Sequence, residues 1–89
     1  MITQWVNIFK LLGNENRLNI LKLLTAHREL SVRKISRTLD IREKLVSQHL
    51  VLLAHANFVI GKGKLGSVYY SFHPALRNEV LHILQKFVK

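Results

Sequence analysis

Apolar residues recur at helical spacing through four successive stretches of this chain, give way to a β-rich alternating segment, and then return to helical spacing at its end. Over residues 2–12, Ile2, Trp5, Val6, Phe9 and Leu12 share one broad face, which predicts a first helix. Gly13 follows and is expected to end that helix in the left-handed conformation. Asn14 then reads as the cap of a second helix, with Glu15 favourably placed in its first turn. That helix runs to about Ala26 on a stripe of Leu18, Leu21 and Leu24, and the surplus apolars Ile20 and Leu23 predict burial on more than one side. In "ELSVRKISRTLDIREKLVSQHLVLLA", residues 29–54, two further helices meet at a break. Val32, Ile35 and Leu39 form the stripe before it; Leu45, Val46, Leu50 and Leu53 form the stripe after it. Asp40 stands at the break with Glu43 three residues on, a capping-box signal for the second of the pair. The two helices are placed at roughly 31–39 and 41–55.

From Asn57 the period changes. In "NFVIGKGKLGSVYYSF" two β-rich runs, 58–60 and 67–72, flank a loop holding Gly61, Gly63 and Gly66, and the alternation from Val68 to Phe72 reads as a β-hairpin. Pro74 suits the first turn of a last helix over about 74–88, where Leu76, Val80, Ile83, Leu84 and Phe87 recur at 3-4 spacing.

Two helices joined through one apolar seam, the second showing Arg42, Lys44, Ser47 and Gln48 on its other side, make a helix-turn-helix over about 31–55. A hairpin directly after it, over about 57–72, reads as a wing. The fold class is therefore mainly α with a small β-hairpin: a single winged helix-turn-helix domain over residues 1–89, with no internal repeat or linker. A domain this small buries a modest fraction of its surface. With no cysteine, it has no disulfide to compensate, and dimerisation is a common remedy. One small core does not easily cover both terminal stripes. The helices at about 2–12 and 74–88 are therefore expected to form a two-fold interface through Ile2, Trp5, Val6, Phe9, Val80, Ile83, Leu84 and Phe87. The alternative is that each packs on its own domain.

Charge narrows the partner. Fourteen Lys and Arg against five Asp and Glu give a formal charge of +9, which favours a polyanion. The cations cluster from Arg28 to Lys44 and again at Lys62 and Lys64, whereas a membrane-surface helix needs cations and bulky apolars on one amphipathic stretch. With no secretory segment and no apolar run near 18 residues, the expectation is a cytoplasmic protein with no membrane partner. The missing thiols exclude cysteine-based zinc ribbons, iron–sulfur clusters and thiol redox switching. An enzyme is not expected: there is no glycine-rich phosphate loop after a strand, and the five acids are scattered singly. Ser47 and His49, two apart on a helix, point in different directions and cannot pair as nucleophile and base. No cofactor is implied.

Double-stranded DNA suits these side chains best. In a major groove, Arg42 and Lys44 reach phosphates or guanine O6/N7, Gln48 pairs bidentately with adenine, and Ser47 serves base or phosphate. Ser31, at the start of the third helix, can offer a phosphate its hydroxyl and the helix N-terminal amides. Arg33, Lys34 and Arg37 are cast as backbone contacts. Lys62 and Lys64 at the hairpin tip either touch the sugar–phosphate backbone or minor groove, or keep a solvated turn soluble. His49 either touches a phosphate or base, or hydrogen-bonds locally beneath its helix. His27 and His55, near helix ends, read as capping or solvated. The competing reading is a winged helix used purely as a protein-interaction module, against which the exposed cations argue.

Four pieces in order, "LLGNENRLNILKLL", "ELSVRKISRTLDI", "LVSQHLVLL" and "VYYSF", resemble the ArsR-type (ArsR/SmtB-like) winged helix-turn-helix regulators over essentially the full chain. The resemblance implies four helices, a hairpin and a fifth helix, a homodimer joined through the first and last helices, and operator binding that represses transcription. Metal-sensing members of that family carry Cys in place of Ser31 or Arg33; this chain has none, so the cysteine site is absent. Other members bind zinc at the last helix through Asp and His. Here His73 and His82 stand in that region with no acid beside His73 and with Glu79 nearest, so no metal ligand is assigned. A histidine-only metal-responsive repressor is the remaining variant. Two departures stand out: Arg42 replaces the usual capping Ser, leaving the cap to Asp40, and Val51 replaces the cation that often follows "SQHL".

Overall fold

The computed structural model describes residues 2–76 and 78–87, with Phe87 described in its backbone alone. Its elements are α1 (Ile2–Leu12), α2 (Glu15–Ala26), β1 (Leu30–Ser31), α3 (Val32–Leu39), α4 (Glu43–His55), β2 (Val59–Lys64), β3 (Ser67–Phe72) and α5 (Asn78–Phe87). Ile20, Leu21 and Leu24 of α2 meet Ile35 of α3 and Val46, Leu50 and Leu53 of α4, and Leu30, Phe58, Val59, Val80 and Leu84 close the core around them. Burying each such side chain contributes about 1.5–3 kcal/mol. This cluster holds α4 by one side only.

Asn14 caps α2 as its sequence predicts, its Oδ1 accepting the Arg17 N–H at 3.1 Å. Gly13 departs from expectation, since it has no positive φ. Its N–H donates to the Lys10 carbonyl at 3.3 Å, and a Cβ there would stand 3.2 Å from the Phe9 carbonyl oxygen. Close backbone packing, not handedness, is its reason.

The corner between α3 and α4 is also built otherwise than predicted. Asp40 lies in the left-handed region (φ 55°, ψ 48°) and its N–H donates to the Ser36 carbonyl, so it terminates α3 instead of capping α4. The Ile41 N–H reaches the same carbonyl at 3.1 Å, while the Ser36 hydroxyl donates back to the Ile41 carbonyl. Asp and Asn tolerate this conformation better than other non-glycine residues. Two more residues turn the corner, with Ile41 half-buried against the core. Arg42 is the N-cap of α4 without any side-chain cap bond, and Glu43 offsets the helix dipole from the first turn. The capping box is therefore not formed.

The sheet has the order β1-β3-β2, both pairings antiparallel. The strand β1, only two residues long, adds to the expected hairpin by pairing Leu30 with Tyr70 and Ser31 with Tyr69. The hairpin itself is longer than predicted, because β2 runs through Gly61 and Gly63 to Lys64, which pairs with Ser67. Leu65 (φ 49°) and Gly66 (φ 79°) make the two-residue turn, both with positive φ as a type I′ hairpin requires. Gly61 is a strand residue covered by an aromatic ring: a Cβ there would come within 2.9 Å of Tyr70.

At the C-terminal end, α5 begins at Asn78, not at Pro74. Pro74 instead sits in a turn closed by the Leu76 N–H to the His73 carbonyl (3.0 Å) and the Ala75 N–H to His73 Nδ1 (2.9 Å). Val80 and Leu84 face the domain's own core, which corrects their placement in a subunit interface. Among the described residues α1 contributes none to the fully buried set; it lies on the core through Trp5, Ile8, Leu11 and Leu12. Its other side leaves Ile2 80%, Phe9 65% and Val6 43% exposed. No helix among the described residues is long and apolar enough to cross a membrane.

Candidate nucleic-acid interface

The two sides of α4 are chemically opposite. Val46, His49, Leu50 and Leu53 are buried, while Lys44, Gln48 and Val51 are exposed and Ser47 is half-buried between them. Residues 44, 47, 48 and 51 are spaced i, i+3, i+4 and i+7, so they line one helix face opposite the core. Arg42 is exposed just ahead of that face, and Arg33, Lys34 and Arg37 are exposed on α3, which packs against α4. Ser31 is the N-cap of α3: its Oγ accepts the Lys34 N–H at 3.0 Å, leaving its hydroxyl hydrogen to donate elsewhere.

Strand register joins the wing to this region. Tyr69 is paired with Lys62 of β2 on one side and with Ser31 of β1 on the other, so the three side chains form one row on one sheet face. Hydropathy pattern alone does not single out Tyr69. Alternation puts it and Tyr70 on opposite faces, but only the pairing with β1 shows which of them accompanies Ser31. Lys64 is tied back: its Nζ pairs with the Glu29 carboxylate and lies 5.5 Å from the centroid of the Tyr69 ring. Both partners are exposed, so the ion pair is worth about 0–1 kcal/mol and yields readily to a stronger anion.

His49 departs from the groove-facing role weighed for it. It is 8% exposed and belongs to the interior, so it is not available to a phosphate or a base. Its Nδ1 lies 3.4 Å from Nη1 of Arg17. A guanidinium only donates, so Nδ1 accepts and the ring proton sits on Nε2. Burial first, and then the Arg17 charge, hold its pKa below the usual 6.5. The Arg17 Nε also donates to the Leu11 carbonyl at 2.6 Å, so one side chain links the end of α1, α2 and the inner face of α4.

The family model for "Bacterial regulatory protein, arsR family" matches residues 14–60, from the cap of α2 into β2 and across the whole helix-turn-helix. This chain belongs to the ArsR family. An arsenical resistance operon repressor of Escherichia coli is 32% identical over 69 residues, covering 78% of this chain and 59% of the relative. An arsenic resistance transcriptional regulator of Pseudomonas putida is 30% identical over 67 residues, covering 75% of this chain and 52% of the relative. The chain thus spans between half and three-fifths of the length of these curated relatives. Among solved structures, reduced HlyU from Vibrio cholerae superposes with a TM-score of 0.82 at 30% identity, over 93% of this chain and 83% of that one. The winged-helix architecture is shared, and the family is one of regulators, not enzymes.

Among the described residues no three His, Cys, Asp or Glu side chains gather as a metal site would require. A cleft of about 510 Å³ opens between α1 and the turn before α5, lined by Gln4, Asn7, Ile8, Asn57 and Leu76 among others, with no charged group among the described residues. It lies apart from the cationic face of α4.

Proposed function

We propose that this ArsR-family chain is a homodimeric, cytoplasmic repressor that binds an inverted-repeat operator in double-stranded DNA, without a cysteine metal sensor. One observation carries the reading: α4 buries Val46, His49, Leu50 and Leu53 while turning Lys44, Ser47 and Gln48 outward. A helix held in this way fits a major groove ~12 Å wide with its readers foremost. Arg42 and Lys44 take phosphate or guanine, Ser47 takes base or phosphate, and Gln48 takes adenine. Arg33, Lys34 and Arg37 hold the backbone, while Ser31 adds a hydroxyl and amides at the N-terminus of α3. Lys62 meets the backbone from the wing, with Lys64 joining once it leaves Glu29.

The proposed subunit interface is made of the exposed residues Ile2, Val6 and Phe9 of α1 with Ile83 of α5, and of the half-buried Trp5. The side chain of Phe87, also expected there, lies outside the described residues. Two copies related by a two-fold axis present two α4 helices to half-sites about 34–36 Å apart. The repressor sense is taken from the Escherichia coli relative, whose name states it.

Selection of bound duplexes from a random pool, with and without added zinc, tests the reading. A recovered palindrome whose affinity falls about 10³–10⁵-fold between 50 and 200 mM salt is expected if 6–10 phosphates are neutralised. Recovery of no preferred sequence, with equal binding of any duplex, rejects it. Zinc-dependent release would transfer the protein to the metal-responsive variant.

A further inference from the structure

Val51 has no polar task in this interface, yet it is 46% exposed on the same face as Lys44, Ser47 and Gln48. Leu52, one residue on, is exposed at the edge of this face, and the exposed His55 follows Val51 one turn later, so Val51 is the apolar member between Gln48 and His55. A half-exposed valine among donors and acceptors gains nothing unless it meets another apolar group. The major groove offers the C5 methyl of thymine as that group; the other base-edge features are hydrogen-bond donors and acceptors.

We propose that Val51 reads thymine through its C5 methyl and so sets part of the operator's sequence. The inference rests on α4 lying in the major groove. Gln48 and Val51 are three residues apart, about 4.5 Å along the helix axis, little more than one base-pair step of ~3.4 Å. The thymine therefore belongs to the base pair that Gln48 contacts or to the one beside it, and each half-site carries adenine and thymine there. Ser47 and Lys44 lie on the other side of Gln48, toward the helix N-terminus, and are left to the neighbouring pairs.

Replacing thymine by uracil removes the methyl and keeps the base pairing. The test uses a duplex recovered by random selection, remade with uracil at one thymine position of both half-sites at a time, and measured against the parent protein and Val51→Ala. Val51 is a surface residue, and an unchanged thermal midpoint for Val51→Ala establishes that the variant is folded. Taking one methyl group out of the interface weakens the parent about fourfold per half-site, roughly fifteenfold for the symmetric duplex. That weakening is expected at one thymine position and nowhere else, and Val51→Ala should bind the thymine and uracil duplexes alike at that position. A parent indifferent to uracil everywhere, while still preferring the selected duplex over random DNA, overturns the Val51 assignment and leaves the groove reading standing. Full uracil sensitivity retained by Val51→Ala overturns it equally. Absence of any sequence preference removes both.

Discussion

The least conspicuous histidine has the clearest consequence. Because burial and Arg17 hold His49 below its usual 6.5, the folded protein favours the neutral ring. Above that pH both folded and unfolded chains carry it neutral, and its stabilising effect is complete. Below it the unfolded chain takes up a proton that the folded site resists, so stability falls as pH drops from 6.5 toward the folded value. The thermal midpoint is therefore expected to drop between about pH 7.5 and pH 5.5, and His49→Gln should flatten that part of the profile. An unaltered slope in the variant would assign the acid sensitivity to other groups. Gly61 offers a second check, since its missing side chain makes room for the Tyr70 ring. Gly61→Val is expected to cost about 1–3 kcal/mol in denaturant unfolding through overpacking. Gly63→Val, two residues on with nothing within 4 Å of the added Cβ, should be close to neutral.

Among the elements, the proposed interface assigns α4 and the wing different roles that substitutions can separate. Gln48→Ala removes a base-edge hydrogen-bonding group and is expected to cost about 1–3 kcal/mol on the selected operator while leaving random duplex unaffected. Lys62→Ala should weaken both duplexes alike and reduce the salt slope by about 1 for each phosphate it no longer neutralises, as read by fluorescence anisotropy across a salt series. Much of this was legible in the chain. The stripes of α2, α3 and α4 repeat at helical spacing, so the core leucines and the opposite cationic face could be read directly. The corner at Asp40 could not, because Asp serves equally as an N-cap and as a left-handed helix end. Only the carbonyl of Ser36, taken by the amides of Asp40 and Ile41, distinguishes the two. The strand β1 escaped notice because two residues carry no period. His49 sits beside Gln48 in sequence, yet a step of one residue on a helix turns it from the exposed face to the core.

For the molecule as a whole, the question is how one small domain shares out its apolar surface. Periodicity marked both terminal helices as apolar but could not say which residues the domain keeps for itself. It keeps Val80 and Leu84 and leaves Ile2, Val6, Phe9 and Ile83 in solvent. Phe9→Glu is expected to yield a monomer by light scattering with an unchanged far-ultraviolet spectrum. Operator affinity should fall by about 10²–10⁴ as the second half-site ceases to be an intramolecular partner. A dimer that survives this substitution would place the interface elsewhere. The measurement that bears most directly on the role of α4 is an amide chemical-shift titration of the labelled protein with the selected duplex. Shifts concentrated at Lys44, Ser47, Gln48 and Lys62 are the expected result. A bound complex in which those amides stay still while residues on another surface respond would contradict it.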